Sequence, residues 1–205
     1  MTETIEARIF AVSRHRLTTD GDGCTTLVTF NSCPLRCKYC LNKVSWEEEK
    51  GRVYTPETLY NEVKIDQLYF LATRGGVTFG GGEPLLQAEF IKAFRALCGN
   101  QWKLLAETSL NVPAEKVQAA DTVLDGYMVD IKDMNPGIYE TYTGKNNARV
   151  VENLEWLLHH GDPDRIVVRV PHIPNYNTDP DVARSVEQLK AMGVVHFDEF
   201  NYIIR

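Results

Sequence analysis

The stretch Cys33-Pro34-Leu35-Arg36-Cys37-Lys38-Tyr39-Cys40 sets three cysteines at spacings of four and three within one short loop. Three thiolates can hold three irons of a 4Fe-4S cubane, which leaves the fourth iron without a protein ligand and open to a small molecule. Two plainer chemistries compete for the same residues. Structural zinc ordinarily takes four protein ligands in paired C-x2-C or Cys/His groupings, and no histidine stands near this loop. A catalytic dithiol needs only an isolated C-x-x-C, which Cys37 and Cys40 supply, but it leaves Cys33 without a task.

Outward from the loop, apolar runs alternate with amphipathic stripes. Residues 25–30, 77–80, 103–107, 127–132, 165–170 and 197–203 read as six strands. Leu86, Phe90, Phe94 and Leu97 form one helical stripe, Val150, Leu154, Leu157 and Leu158 a second, and Val182, Val186, Leu189 and Met192 a third. Thr55-Pro56 and Asp179-Pro180 read as caps followed by a first-turn proline. Parallel strands joined by right-handed helical crossovers build either an open doubly wound sheet or a barrel. The cysteine loop, the glycines after residue 79, Glu107-Thr108, Asp130 to Lys132 and Arg169 all fall at or just past strand C-terminal ends. A curved sheet brings those ends to one mouth. The expected fold is therefore α/β, a partial (βα)6 TIM-like barrel shortened at its C-terminus, where the chain stops at the sixth strand without a closing helix.

With 205 residues and 43% hydrophobic composition, the chain can bury a substantial core as a single domain, and no linker, repeat or low-complexity tract divides it. The first ten residues carry Glu3 and Glu6 and no long apolar run, so neither a secretory signal nor a membrane span is expected, and a cytoplasmic location follows by default. A net charge of -6 argues against a broad nucleic-acid footprint. Cys24 lies up to ~30 Å from Cys33 if the chain between is extended, and Cys98 ends a helical stripe; both read as packed thiols.

The C-x3-C-x2-C loop with Tyr39 before its last cysteine resembles the signature of the radical S-adenosylmethionine (SAM) superfamily. Gly80-Gly81-Gly82-Glu83-Pro84, following Val77-Thr78-Phe79, is similar to that superfamily's G-G-E-P motif. The resemblance covers nearly the whole chain and is greatest to the activating enzymes of glycyl radical enzymes. Asp20-Gly21-Asp22-Gly23 resembles their D-G-P-G loop, and residues 79–90 and Asp130-Ile131-Lys132-Asp133-Met134-Asn135 also fit. Three departures stand out: Asp22 replaces a proline, Ser32 a frequent glycine, and Glu107 the usual Asp. The family's histidine beyond the sixth strand has no counterpart.

What the resemblance implies is one 4Fe-4S cluster on Cys33, Cys37 and Cys40, with SAM chelating its open iron. Reductive cleavage to a 5′-deoxyadenosyl radical would follow, then hydrogen abstraction from a glycine of a partner glycyl radical enzyme. No residue is expected to act as acid or base. Tyr39, Gly81, Gly82, Glu83, Thr108, Asp130, Lys132 and Arg169 are expected around SAM. The glycines would allow close backbone approach, Glu83 would meet the amino group, and Lys132 the carboxylate, with Asp130 as its rival partner. Arg169 would hold a carboxylate or peptide carbonyl, or pair with a neighbouring acid. Glu107, Thr108, Met128 and Asp130 match a monovalent-cation site, and the loop from Asp20 through Gly21 and Asp22 to Gly23 would grip the partner's backbone.

Many such activases carry a ferredoxin-like insert with further cysteines, and this chain has only residues 44–54 there. Electrons are thus expected from an external flavodoxin or ferredoxin, in a monomer working anaerobically. The rival reading is a radical SAM enzyme acting on a small molecule or a ribosomal peptide. Of the histidines, His159 and His160 read as helix-end residues, His172 follows the fifth strand with a plain structural role weighed ahead of contact with the ligand, and His15 and His196 lack context.

Overall fold

The computed structural model describes residues 4–47 and 49–202. Its strands are β1 (Ala7–Leu17), β2 (Cys24–Phe30), β3 (Arg52–Tyr54), β4 (Gly76–Gly81), β5 (Lys103–Thr108), β6 (Gly126–Asp130), β7 (Ile166–His172) and β8 (His196–Asn201). They form one sheet in the order β3-β1-β2-β4-β5-β6-β7-β8. From β2 to β8 every pairing is parallel, and these are the six strands expected from the sequence. Residue 203, expected to end the last strand, lies outside the described residues.

Two strands are additional. β1 pairs antiparallel with both β2 and β3 and extends the sheet past its first parallel strand. Ala7 and Ile9 alternate with Arg8, but the contiguous apolar Phe10, Ala11 and Val12 and the polar run from Ser13 to Arg16 then blur the period, and β3 has only 3 residues.

Crossovers are α1 (Pro56–Val63) and α2 (Gln67–Thr73), α3 (Ala88–Cys98), α4 (Ala114–Asp121), α5 (Pro136–Thr143) and α6 (Ala148–His160), then α7 (Asp179–Ala191). Thr55 caps α1 through Thr58, with Pro56 in the first turn as expected. The cap of α7 is Thr178 rather than Asp179, because Thr178 and Asp181 form a capping box one residue earlier. In α3 the inward face is Ala88, Phe90, Ile91 and Phe94. Leu97 is exposed, contrary to the stripe read from sequence, because Ile91 rather than Leu97 completes the buried face.

The period-2 alternation of the parallel strands separates two environments. One face sends Val28, Phe30, Val77, Phe79, Leu104, Ala106 and Val129 into the core beneath the helices. Phe79 stacks on Phe30 at 5.7 Å and meets Phe94 edge-on at 5.6 Å. The other face carries Thr78, Glu107, Met128, Asp130 and Arg169 toward the hollow of the curved sheet, with Glu107 beside Met128 and Asp130 beside Arg169 in register. None of the described helices is long and apolar enough to cross a membrane.

Because Phe79 is fully buried between two strands and a helix, Phe79→Ala is expected to cost about 3–5 kcal/mol of unfolding free energy, read as a lower urea midpoint at unchanged slope.

Candidate active site

A cavity of about 300 Å³ opens at the C-terminal ends of the parallel strands. Cys33, Cys37 and Cys40 form one wall, Gly81 and Gly82 an edge, and of the other expected residues Glu107, Thr108, Asp130, Lys132 and Arg169 also line it. Sequence reasoning missed Asn42, Ser45, Ser109, the end of β8 at Phe200 and Asn201, and Tyr202 just past it, which also line it. Asn42 and Ser45 come two and five residues after the last cysteine, and Ser109 follows Thr108, so proximity to recognised motifs was their only signal.

Backbone geometry explains the glycine turn. Gly81 sits at φ +100°, and a Cβ on Gly82 would stand 2.0 Å from the Ser32 carbonyl oxygen. Their neighbours bond across: Gly82 N–H donates to Phe30 O at 2.9 Å and Glu83 N–H to Ser32 O at 2.8 Å. Ser32 itself adopts φ 72°, a left-handed conformation that costs a non-glycine residue roughly 1–2 kcal/mol and accounts for the glycine common at this place.

Glu83 does not face the cavity. It is fully buried, and its carboxylate accepts from Thr108 Oγ1 (2.6 Å), Ser109 N (2.9 Å), Ser109 Oγ (2.6 Å) and Leu85 N (3.1 Å). Burial pushes its carboxyl above the ordinary range, and the Ser109 and Thr108 donors oppose the rise. The residue therefore fixes the ends of β4 and β5 relative to each other.

The floor of the cavity is a network of charges, in which Lys132 is buried and Asp130, Glu107 and Arg169 are half-buried. Lys132 Nζ lies 2.9 Å from Asp130 Oδ2 and 5.4 Å from the Tyr202 ring. Burial opposes the Lys132 charge, but Asp130 outweighs it and holds the ammonium well above its ordinary pKa. Arg169 Nη1 reaches Glu107 Oε1 at 3.3 Å, and its Nε stands 3.6 Å from both Asp130 Oδ1 and Asp198 Oδ2. The guanidinium thus bridges two of the four residues matched to a monovalent-cation site. A third, Met128, lines a different cavity, and Thr108 is engaged with Glu83.

The residues present fit a three-cysteine cluster and a polar nucleotide. All three cysteines are free thiols on one wall, and burial pushes the Cys33 thiol up to about 12, so bound metal is needed to hold thiolate there. Among the described residues, no three Cys, His, Asp or Glu side chains converge where a single ion would sit. A cubane does not require that, since it offers separate irons to separate thiolates. Ser45 Oγ, Asp130 Oδ1 and Arg169 Nε, all on cavity-lining residues, are buried without hydrogen-bond partners, as expected where a polar ligand completes the site.

Tyr39 lies beside the cavity rather than in it, packed edge-on against Tyr142 and Tyr176, with its hydroxyl accepting from Asn175 Nδ2 at 3.2 Å. His172 does not line the cavity and pairs with Asp179 at 3.1 Å. His159 and His160 bond carbonyls one turn back in α6. Cys24 is buried at the start of β2, and Cys98 ends α3 half-buried.

The loop from Asp20 to Gly23 precedes β2, so it stands at the opposite end of that strand from the cysteines. Gly21 and Asp22 line a second cavity of about 860 Å³ at this lower end, whose wall also includes Met128 and Arg169. Asp20 is buried and bound by Arg16, and its carbonyl accepts from Thr78 Oγ1. Only the backbone and Asp22 of this loop face the cavity, and Arg169 alone among the SAM-side residues borders both spaces.

Burial raises the Glu107 carboxyl to about 7, with Arg169 opposing and Asp130 reinforcing the shift. A raised folded pKa favours the neutral form, so its contribution to stability is complete below the unfolded value and is lost as pH rises through the folded one. Stability of the metal-free protein relative to Glu107→Gln is therefore expected to fall between about pH 4.5 and 7, measured by urea unfolding across that range.

Comparison with known proteins agrees with this geometry. The family model described as the Radical SAM superfamily matches residues 27–191. The Pyruvate formate-lyase 1-activating enzyme of Escherichia coli K12 is 31% identical over 186 residues, covering 87% of this chain and 73% of that protein. The (2S)-3-sulfopropanediol dehydratase activating enzyme of Klebsiella oxytoca is 38% identical over 130 residues, 63% of this chain and 40% of its own. In fold, Streptococcus suis SuiB bound to S-adenosylmethionine superposes with a TM-score of 0.65 at 12% identity, over 86% of this chain and 42% of SuiB. The chain belongs to the radical SAM superfamily and, within it, to the activating enzymes of glycyl radical enzymes.

Proposed function

We propose that residues 1–205 act as one radical SAM domain that removes a hydrogen atom from a glycine of a partner glycyl radical enzyme. The observation that carries this reading is the meeting of three cysteines, a glycine edge and the Lys132–Asp130 pair on one cavity. Cys33, Cys37 and Cys40 would hold the cluster. When bound, that cluster supplies the electron that splits the SAM sulfonium and so opens radical chemistry.

The chain's own work is binding, orientation and exclusion of water. Lys132 would give the nucleotide's carboxylate a charge-assisted bond already desolvated and oriented by Asp130. Gly81, Gly82 and Ser109 would offer polar groups to its amine. Leu35, Leu41 and Phe200 supply apolar wall that keeps water from the reacting atoms. A partner's glycine segment would approach through the lower cavity, along Gly21 and Asp22, and meet the upper one at Arg169. Electrons would come from an external flavodoxin or ferredoxin, in a cytoplasmic monomer. A monovalent cation would have to displace the guanidinium that bridges Glu107 and Asp130.

One observation favours the rival small-molecule or ribosomal-peptide substrate: the Asp20 carboxylate is spent on Arg16 and is not free to hold a partner. The two readings separate when reduced protein, SAM and a candidate glycyl radical enzyme are mixed anaerobically. A glycine-centred radical seen by electron paramagnetic resonance, with stoichiometric 5′-deoxyadenosine, is expected; 5′-deoxyadenosine without a radical on authentic partners contradicts the activase reading. Lys132→Met is expected to weaken SAM binding roughly ten- to a hundredfold, measured by equilibrium binding to the reconstituted protein.

A further inference from the structure

The chain as a whole carries a net charge of -6, yet between Gly23 and Trp46 it holds Arg36, Lys38 and Lys43 and not one Asp or Glu. That cationic stretch is the cysteine loop and its continuation. Arg36, Lys38 and Lys43 are exposed, whereas Cys33, Cys37 and Cys40 on the same loop turn toward the cavity. The loop is pinned to the end of α5 by two backbone bonds, Arg36 N–H to Thr143 O at 2.8 Å and Lys38 N–H to Tyr142 O at 3.1 Å. Two residues further, exposed Lys145 adds a fourth cation to that side.

These charges are uncommitted. Among the described residues, Lys38, Lys43 and Lys145 form no ion pair, and Arg36 spends its guanidinium on the Cys33 and Leu35 carbonyls and the Trp46 ring. The described acids that follow are balanced instead: Glu47 pairs with Lys50 at 3.7 Å and Glu49 with Arg8 at 3.5 Å. On α5 the one acid is Glu140.

A cationic collar on an otherwise acidic protein, directly outside the residues that would hold a redox cofactor, has a specific use. We propose that Arg36, Lys38, Lys43 and Lys145 form the docking face for an acidic one-electron carrier protein. The inference rests on the cluster reading above. Opposite charge would steer the carrier to the outer side of the loop whose cysteines line the cavity, and the acidic remainder of the surface would repel it elsewhere. The carrier is oxidised by one electron, the bound cluster is reduced by the same electron, and no bond or proton need move.

The test is the rate of cluster reduction in reconstituted protein, with an acidic flavodoxin hydroquinone as one reductant and photoreduced deazaflavin, small and uncharged, as the other. Lys43→Glu with Lys145→Glu spares Arg36, which braces the loop. The double variant is expected to lower the bimolecular rate with flavodoxin about tenfold or more at low salt and to flatten its salt dependence, with the deazaflavin rate unchanged. Equal flavodoxin rates and salt slopes in both proteins, alongside normal deazaflavin reduction, would overturn the docking face alone. Weakened binding of the glycyl radical enzyme with unaltered flavodoxin kinetics would reassign the collar and equally overturn it. Failure of both reductants in the unsubstituted protein would defeat the cluster reading itself.

Discussion

Two backbone hydrogen bonds hold the site together: Gly82 N–H to Phe30 O and Glu83 N–H to Ser32 O. They join the chain entering the cysteine loop to the turn leaving β4, at a separation no side chain on Gly82 would permit. Much else follows from that contact. Ser32 N–H in turn bonds Ser45 O at 2.8 Å, and Asn42 Nδ2 bonds Gly81 O at 3.1 Å, so the segment after the cysteines folds back over the same turn. The glycine motif thereby sets where the cysteines stand before it meets any ligand. Glu83 extends the tie to β5 through Thr108 and Ser109, which makes three consecutive strand ends one rigid rim.

The interior behind that rim is polar in a way that a purely structural barrel would avoid. Asp130, Lys132, Arg169 and Glu107 share a partly desolvated space in which each charge is held by a neighbour and two polar atoms stay unpartnered. Buried ion pairs of this kind add little net stability, since desolvation offsets most of the attraction. Their value lies in preorganisation: donors and acceptors fixed at the mouth before a charged nucleotide arrives. Arg169, bordering both the upper and lower cavities, links the place where the cofactor would sit with the place where a substrate would enter.

The parallel strands and the cysteine and glycine motifs were legible in sequence because each is local: a period-2 run, a spacing, a glycine that only one backbone conformation requires. Lys132 against Asp130 was also visible, as two charges two residues apart past an apolar run. What escaped depends on contacts distant in sequence. β1 is stabilised by pairing on both sides rather than by its own alternation, and α5 opens with Pro-Gly, which reads as a turn until Asn135 is seen accepting from Gly137 and Ile138 N–H. The hydrogen bonds that hold Glu83 were not legible because its partners Thr108 and Ser109 lie 25 and 26 residues later. The Asp20 loop shows the same limit: its residue types suit a grip on another chain, but Arg16, four residues back, already holds the carboxylate.

The central claim is that Cys33, Cys37 and Cys40 hold a cubane with one iron left to a ligand. Mössbauer spectra of anaerobically reconstituted, iron-57-enriched protein, recorded with and without SAM, address it directly. The account predicts about four irons per chain, of which one alone changes its isomer shift when SAM is added. Four irons that ignore SAM, or a protein that takes up zinc in place of a cluster, would contradict it.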